Sequence, residues 1–200
     1  MKIYQDNKRM VLLTGLHYPS RNRKTGPMLQ VWVLPLNESP INPKSFPTVC
    51  GKCPIKKGCY VVRSQAPTTL FRTYGERPVE PIPDQLHLGV RLTAYGDPFF
   101  IPHEIQEELV RKSPFAIGYT HMWRDLGAKK YPWLSASVHS VEEKAEANEK
   151  GWRTFRTQQQ IELTDDETWC PYPERTCITC RKCAWQNMAV LPHGSRRKYV

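Results

Sequence analysis

The chain has 200 residues and a formal net charge of +10, and 18 of its residues are proline. This length suits one domain with a single core. Proline at nearly twice its usual share of about 5% excludes a coiled coil or a simple helical bundle. No apolar run approaches the roughly 18 residues of a membrane helix, and the first residues lack the apolar stretch of a signal peptide. We therefore expect a cytoplasmic protein that does not enter a membrane.

The positive charge is concentrated at the two ends of the chain. Residues 1–75 contain 12 Lys or Arg and 2 Asp or Glu, whereas residues 76–169 contain 11 and 16. Residues 170–200 contain 6 and 1. Two interpretations fit this distribution: a basic face that binds nucleic acid, or an ordinary solvated surface that offsets the charge of metal–thiolate groups.

The first part of the chain contains turns, loops and one clear strand. Residues 20–27 predict a basic turn, and the β-branched and aromatic residues 29–34 predict a strand. Proline-rich loops are expected over residues 37–48 and 75–83.

From residue 86 onward, predicted strands alternate with predicted helices. The strands cover residues 88–94, 115–119, 133–138, 152–156 and 188–191. One helix begins near Pro102, and another runs from the capping box of Ser140 and Glu143 to Lys150. This alternation predicts a single α/β domain over residues 1–200 with a mainly parallel, partly closed (β/α) sheet.

Polar residues follow the ends of several predicted strands. Asp97, His121, His139 and His193 each come just after one of them. Functional side chains of parallel sheets collect at the carboxyl ends of the strands. We therefore expect these residues to face one rim, with both cysteine-bearing segments packed near it.

Asp97 and His121 are the candidate catalytic residues. Asp97 can hold the ammonium group of a ligand, or it can cap the helix that follows its turn. His121 can act as an acid or base, bind a metal, or serve as a hydrogen-bonded structural histidine. Arg153 and Arg156 are predicted to share one strand face, where both either reach one anionic group or remain solvated.

The chain contains seven cysteines and no export signal. Such cysteines are more often metal ligands or catalysts than disulfide partners. They form two sets. The N-terminal cysteine set lies in a loop over residues 45–62, with spacing C-x2-C-x5-C, and consists of Cys50, Cys53 and Cys59. The C-terminal cysteine set lies in the segment 168–185, with spacing C-x6-C-x2-C-x2-C, and consists of Cys170, Cys177, Cys180 and Cys183.

The spacing of the cysteines favours iron–sulfur clusters over zinc. Three cysteines that are separated by two residues each are crowded around one zinc ion, whereas such runs are typical of cubane clusters. Four thiolates close a [4Fe-4S] cluster, and three leave one iron open. We therefore expect an open cluster at the N-terminal cysteine set and a closed auxiliary cluster at the C-terminal set, with zinc as the alternative.

The order of these features resembles the radical S-adenosylmethionine (SAM) superfamily over about residues 29–110. In that family a three-cysteine loop holds a [4Fe-4S] cluster whose open iron binds SAM, and a Gly-Gly-Glu-Pro motif after the next strand holds the SAM amino group. Tyr95-Gly96-Asp97-Pro98 stands at that place here. The resemblance implies that Gly96, Asp97 and Pro98 bind SAM. The C-x2-C-x5-C spacing differs from the family's C-x3-C-x2-C and is similar to its SPASM-type auxiliary extensions.

The chain also resembles a set of bacteriophage proteins without an assigned activity. The shared features are the three-cysteine loop, the Gly-Asp-Pro turn, residues 118–121 and 151–156, and the C-terminal cysteines. This resemblance implies a phage iron–sulfur protein in the cytoplasm of a bacterial host. The resulting hypothesis is a radical-SAM-like iron–sulfur enzyme. The alternative is a non-catalytic iron–sulfur or zinc scaffold that binds nucleic acid or a host protein through its basic terminal segments.

Overall fold

The computed structural model describes residues 1–159 and 162–192, so His193 lies outside the described residues. The strands form two five-stranded sheets. Sheet A contains, in spatial order, β1 (Lys2–Gln5), β2 (Arg9–Thr14), β3 (Leu29–Pro35), β4 (Val90–Tyr95) and β5 (Ala116–Ile117). Sheet B contains, in spatial order, β6 (Tyr119–Thr120), β7 (Ser135–Val138), β8 (Thr154–Thr157), β10 (Asn187–Val190) and β9 (Glu167–Trp169).

Sheet A is mixed and sheet B is parallel. The first three strands pair antiparallel, and β3, β4 and β5 pair parallel. Every neighbouring pair in sheet B is parallel. The predicted α/β class with mainly parallel pairing is therefore confirmed. Gly118 alone separates β5 from β6.

Four of the five helices in the described ranges pack against the parallel strands. The five are α1 (Ser45–Cys50), α2 (Ala66–Tyr74), α3 (His103–Lys112), α4 (Val141–Glu149) and α5 (Cys177–Cys180). Helices α1 and α2 contact β3, α3 contacts β4, and α4 contacts β7 and β8. The longest helix in the described ranges, α3, has 10 residues, so none of them could cross a bilayer.

The core is densest around β2 and β3. Residues 10–13 of β2 and Val31, Val33 and Leu34 of β3 have no exposed surface. Burying one such aliphatic side chain contributes about 1.5–3 kcal/mol. This core holds β3 and its neighbour β4 firmly, and the segment that follows β4 starts from a fixed position.

Two local predictions are wrong. The predicted loop over 37–48 contains the start of α1, whose Phe46 packs in the core. The predicted strand over 115–119 is interrupted at Gly118, where a Cβ atom would lie 2.6 Å from Leu134 Cδ2. The N-cap at Ser140 is confirmed, because its hydroxyl accepts a hydrogen bond from the Glu143 N–H at 3.1 Å. The Glu143 carboxylate accepts its bond from the His139 N–H at 2.8 Å, one residue before the position that a capping box uses.

The prediction that Arg153 and Arg156 share a strand face is also wrong. Residues three apart in a strand point to opposite faces. Arg156 is buried and pairs with Glu167 at 2.5 Å, whereas Arg153 donates a hydrogen bond to the Pro132 carbonyl at 2.7 Å. The buried pair connects β8 and β9, the two strands on either side of β10.

Gly96, the residue after β4, should be intolerant of a side chain. Its φ angle is +85°, and a Cβ atom would lie 2.5 Å from Val33 Cβ and 2.9 Å from Val33 O. We expect Gly96→Ala to lower the free energy of unfolding by about 2 kcal/mol, through left-handed backbone strain and contact with the β3 backbone. Gly127→Ala is the control, because a Cβ atom there meets nothing within 4 Å. Denaturant unfolding measures both, and equal losses would contradict the prediction.

Candidate functional site

A cavity of about 480 Å³ is lined by strands of both sheets. Its lining includes Arg91, Thr93 and Tyr95 of β4 and Phe155 and Thr157 of β8. Alternate residues of a strand point to the same side, so both sheets turn one face toward this space. The volume lies in the range of small-molecule sites, about 300–1,000 Å³.

The N-terminal cysteine set lies on the wall of this cavity. Cys50 is the last residue of α1 and is buried, and the two other cysteines are half-buried in the loop that follows. The backbone N–H of Asp97 donates to the Val49 carbonyl at 2.8 Å, which fixes the end of α1 against the turn after β4. This set therefore lies at the carboxyl ends of the strands, as predicted.

Burial disfavours the ionised form of two of these thiols, Cys50 and Cys53. Burial raises the pKa of Cys53 to about 12, and burial together with the neighbouring thiols raises the pKa of Cys50 well above its usual range. Cys53 and Cys59 lie close enough to Cys50 for their charge, when they are ionised, to raise its pKa further. Thiolates are the metal-binding form, so a metal bound by this set would release protons.

Asp97 connects the ends of β4 and β6. Its buried carboxylate accepts hydrogen bonds from the Phe99 N–H at 3.0 Å, the Thr120 hydroxyl at 2.7 Å and the His121 N–H at 2.8 Å. Burial raises its pKa to about 6, although these hydrogen bonds favour the ionised form. The capping role is confirmed, since Asp97 caps the short 3-10 helix over Pro98–Phe100; binding of an ammonium group stays a prediction.

His121 lies beside both the cysteines and the aspartate. Its Nδ1 is 3.6 Å from Cys53 Sγ and 3.9 Å from Asp97 Oδ2. Its ring stacks on that of His139, with the centroids 5.4 Å apart. Burial, reinforced by His139, lowers the pKa of His121 to about 3, so the ring is neutral at pH 7. Within the described residues its Nε2 is buried without a hydrogen-bond partner, so this ring nitrogen is open to a hydrogen bond with a ligand.

The C-terminal cysteine set extends from the carboxyl end of β9 toward the amino end of β7. The Ser135 hydroxyl, at the start of β7, donates to the Cys183 carbonyl at 3.4 Å. The expectation that both cysteine segments pack near the carboxyl rim therefore fails at Cys183, whereas Cys170 follows the carboxyl end of β9 and Cys177 lines the cavity. The reason is topological: Cys170 directly follows β9, and the chain must return to the amino end of the parallel neighbour β10. Cys177, on the way back, lines the cavity.

The donor chemistry of both sets fits metal–sulfur binding. No disulfide joins any of the seven cysteines, all of which are described. In residues 1–159 and 162–192, no three His, Cys, Asp or Glu side chains form a group placed to hold a metal ion. The observation that carries the fit is that three thiols of one loop border the same cavity as Asp97 and His121.

Two cations on the cavity wall were not identified from the sequence. Arg91 is buried in β4 and donates a hydrogen bond to the Tyr60 hydroxyl. Lys24 Nζ lies 5.8 Å from the ring centroid of Phe155 and 5.7 Å from that of Tyr172. Burial lowers the pKa of Lys24, and the positive charge of Arg91 lowers it further. The charges of nearby cysteines raise the pKa and partly offset this decrease. Arg91 could have been identified from the sequence, because it is a charged residue within an otherwise uncharged strand.

Comparisons of the chain with protein-family models, with curated proteins and with solved structures find no match.

Proposed function

We propose that the protein is an iron–sulfur enzyme of the radical-SAM type. Cys50, Cys53 and Cys59 would hold an open [4Fe-4S] cluster, and SAM would be the cofactor. The observation that carries this proposal is the placement of three thiols on one cavity with Asp97 and His121. An iron with three protein thiolates keeps a position for a small ligand, and the bound cluster supplies one-electron chemistry.

The strand order supports a partly closed sheet of the same type. In spatial order, β3, β4 and β5 are parallel neighbours in sheet A, and all strands of sheet B, from β6 to β9, are parallel neighbours. Gly118 separates the two series, and both sheets line one cavity. Gly96, Asp97 and Pro98 would contact SAM. The three hydrogen bonds to Asp97 leave one acceptor site on its Oδ2, which suits an ammonium group.

The C-terminal cysteine set would hold a closed auxiliary cluster. A cubane with four thiolates suits electron transfer or structural support. Zinc is the alternative at either set. The resemblance to bacteriophage proteins would place the activity in the cytoplasm of an infected bacterial cell.

Metal and sulfide analysis after anaerobic purification tests the proposal. Two cubanes give about eight irons and eight sulfides per chain. The triple variant Cys50→Ser, Cys53→Ser, Cys59→Ser should keep about four irons and lose any effect of SAM on the electron paramagnetic resonance spectrum of the reduced protein. Thr48→Ser is the control. Stoichiometric zinc without sulfide, or a spectrum that SAM leaves unchanged in the intact protein, would contradict the proposal.

A second candidate is a non-catalytic scaffold that binds nucleic acid or a host protein. One contact favours it: the Cys177 N–H donates to the Lys24 carbonyl at 2.8 Å, which brings the two basic terminal segments together. The exposed Arg23 and Arg175 lie within two residues of this contact. An affinity for DNA or RNA that falls steeply with salt concentration would favour this candidate over the enzyme.

A further inference from the structure

The cavity contains a buried arginine that pairs with no carboxylate in the described ranges. Arg91 is 9% exposed and lines the cavity. The Tyr60 hydroxyl accepts a hydrogen bond from it, and a guanidinium has five N–H donors in all. Burying a charge is unfavourable unless a partner of opposite charge or several hydrogen bonds compensate. Arg91 is therefore equipped for a ligand with negatively charged oxygens.

A second cation faces the same space. Lys24 reaches the cavity from the turn over residues 20–27, and its ammonium group lies near the rings of Phe155 and Tyr172. Like charges repel strongly in a medium of low dielectric constant. The side chains of Arg91 and Lys24 thus create a local positive potential next to an aromatic surface.

Among the described residues that line the cavity, the acidic one, Asp97, lies at the opposite end of β4 from Arg91. Arg91 is the second residue of β4, and Asp97 follows the end of that strand. Six residues of fully extended chain span at most roughly 20 Å between their Cα atoms. The hydrogen bonds to Phe99, Thr120 and His121 hold Asp97 at its own end.

We propose that the cavity binds an organic anion, with its phosphate or carboxylate group between the Arg91 guanidinium and the Lys24 ammonium and its apolar part against Phe155 and Tyr172. The planar fork of arginine matches two oxygens of one such group, and lysine adds a point charge. Taking this anion as the substrate class of the enzyme rests on the proposed function. The anion site itself rests on the cavity alone.

A competing role for the two cations is to offset the charge of the C-terminal cysteine set. Cys177 acts electrostatically on both Arg91 and Lys24. The two roles predict different results. An anion site predicts lower anion affinity at constant iron content, whereas a charge-offsetting role predicts loss of iron at constant anion affinity.

Anaerobic calorimetric titration of the full-length, iron-loaded protein separates these roles. The probes are phenyl phosphate and benzoate, with phenol as the neutral control. We expect at least one anion to bind and phenol to bind at least about tenfold more weakly. The probe that binds more tightly shows whether the site prefers a phosphate or a carboxylate group. Arg91→Met and Lys24→Met should each weaken its binding about tenfold or more without loss of iron. Arg91→Lys, which keeps the charge and loses the fork, should weaken it less and is used if Arg91→Met does not fold.

The control variant is Arg72→Met, on the exposed surface of α2. Its anion affinity should match that of the wild-type protein. The inference is overturned if neither anion binds, if Arg72→Met weakens binding as much as Arg91→Met, or if the Arg91 and Lys24 variants lose iron at unchanged anion affinity. A protein that contains no iron and still binds the anion through Arg91 would overturn the proposed function and support the anion site.

Discussion

Asp97→Asn should lower the free energy of unfolding by about 3 kcal/mol. The carboxylate accepts one hydrogen bond at Oδ2, from the His121 N–H, and two at Oδ1, from the Phe99 N–H and the Thr120 hydroxyl. An amide has one acceptor oxygen, so its NH2 group must face at least one of these donors. A buried donor is then left without an acceptor, and the remaining hydrogen bonds lose their charge assistance.

Denaturant unfolding of Asp97→Asn and Thr120→Val measures this effect. Thr120→Val removes one of the three hydrogen bonds to Asp97 and also the one that the Thr120 hydroxyl accepts from the Met122 N–H at 3.0 Å. It should lower stability by about 2 kcal/mol, less than Asp97→Asn. If Asp97 also holds SAM, Asp97→Asn should lose the SAM-dependent spectral change, and Thr120→Val should keep it. An Asp97→Asn variant as stable as the wild type would show that the carboxylate does not hold this turn.

Part of the role of Asp97 could be predicted because it is local. The strand before it, the turn sequence and the proline after it are all neighbours in the chain, and these place a capping residue at a strand end. The hydrogen bonds with Thr120 and His121 join residues 23 and 24 positions away. They depend on which strands lie next to one another, and no local pattern specifies that.

The elements that sequence reasoning missed also have physical explanations. Strand β2 has residues 10–13 buried on both faces, so it lacks the alternation that identifies a half-exposed strand. Helix α1 begins at Ser45 inside a proline-rich stretch. Its Pro47 occupies the third helical position, where the missing N–H has no intrahelical partner in any case.

The position of Lys24 on the cavity wall could not be predicted from local sequence patterns. Residues 20–27 have the composition of an exposed basic turn. The fold brings part of this turn against α5, with the Cys177 and Ile178 N–H groups donating to the carbonyls of Lys24 and Thr25 at 2.8 and 3.2 Å. Because of these contacts with residues far away in the chain, Lys24 lines the cavity.

Replacing one cysteine of the C-terminal set should have the largest effect on metal content and on the order of the tail. Cys180→Ala should remove about four irons per chain. Helix α5 has no buried residue, so its own packing contributes little to holding the segment 168–185 in place. Metal binding contributes directly to the folding free energy of such segments. Amide hydrogen exchange should therefore become fast in 168–185 and remain slow in β2, β3 and β4.

Thr179→Ser is the matched control, because Thr179 is exposed between Cys177 and Cys180 and is not a predicted ligand. It should keep its iron and its slow exchange. A Cys180→Ala variant with full iron content would show that Cys180 is not a ligand. A third result is informative because Cys177 lines the same cavity as the N-terminal cysteine set. If Cys180→Ala lost the SAM-dependent signal and Cys177→Ala kept it, Cys177 would be assigned as the fourth ligand of the N-terminal cluster. That cluster would then be closed, and the open position would belong to the three remaining C-terminal cysteines.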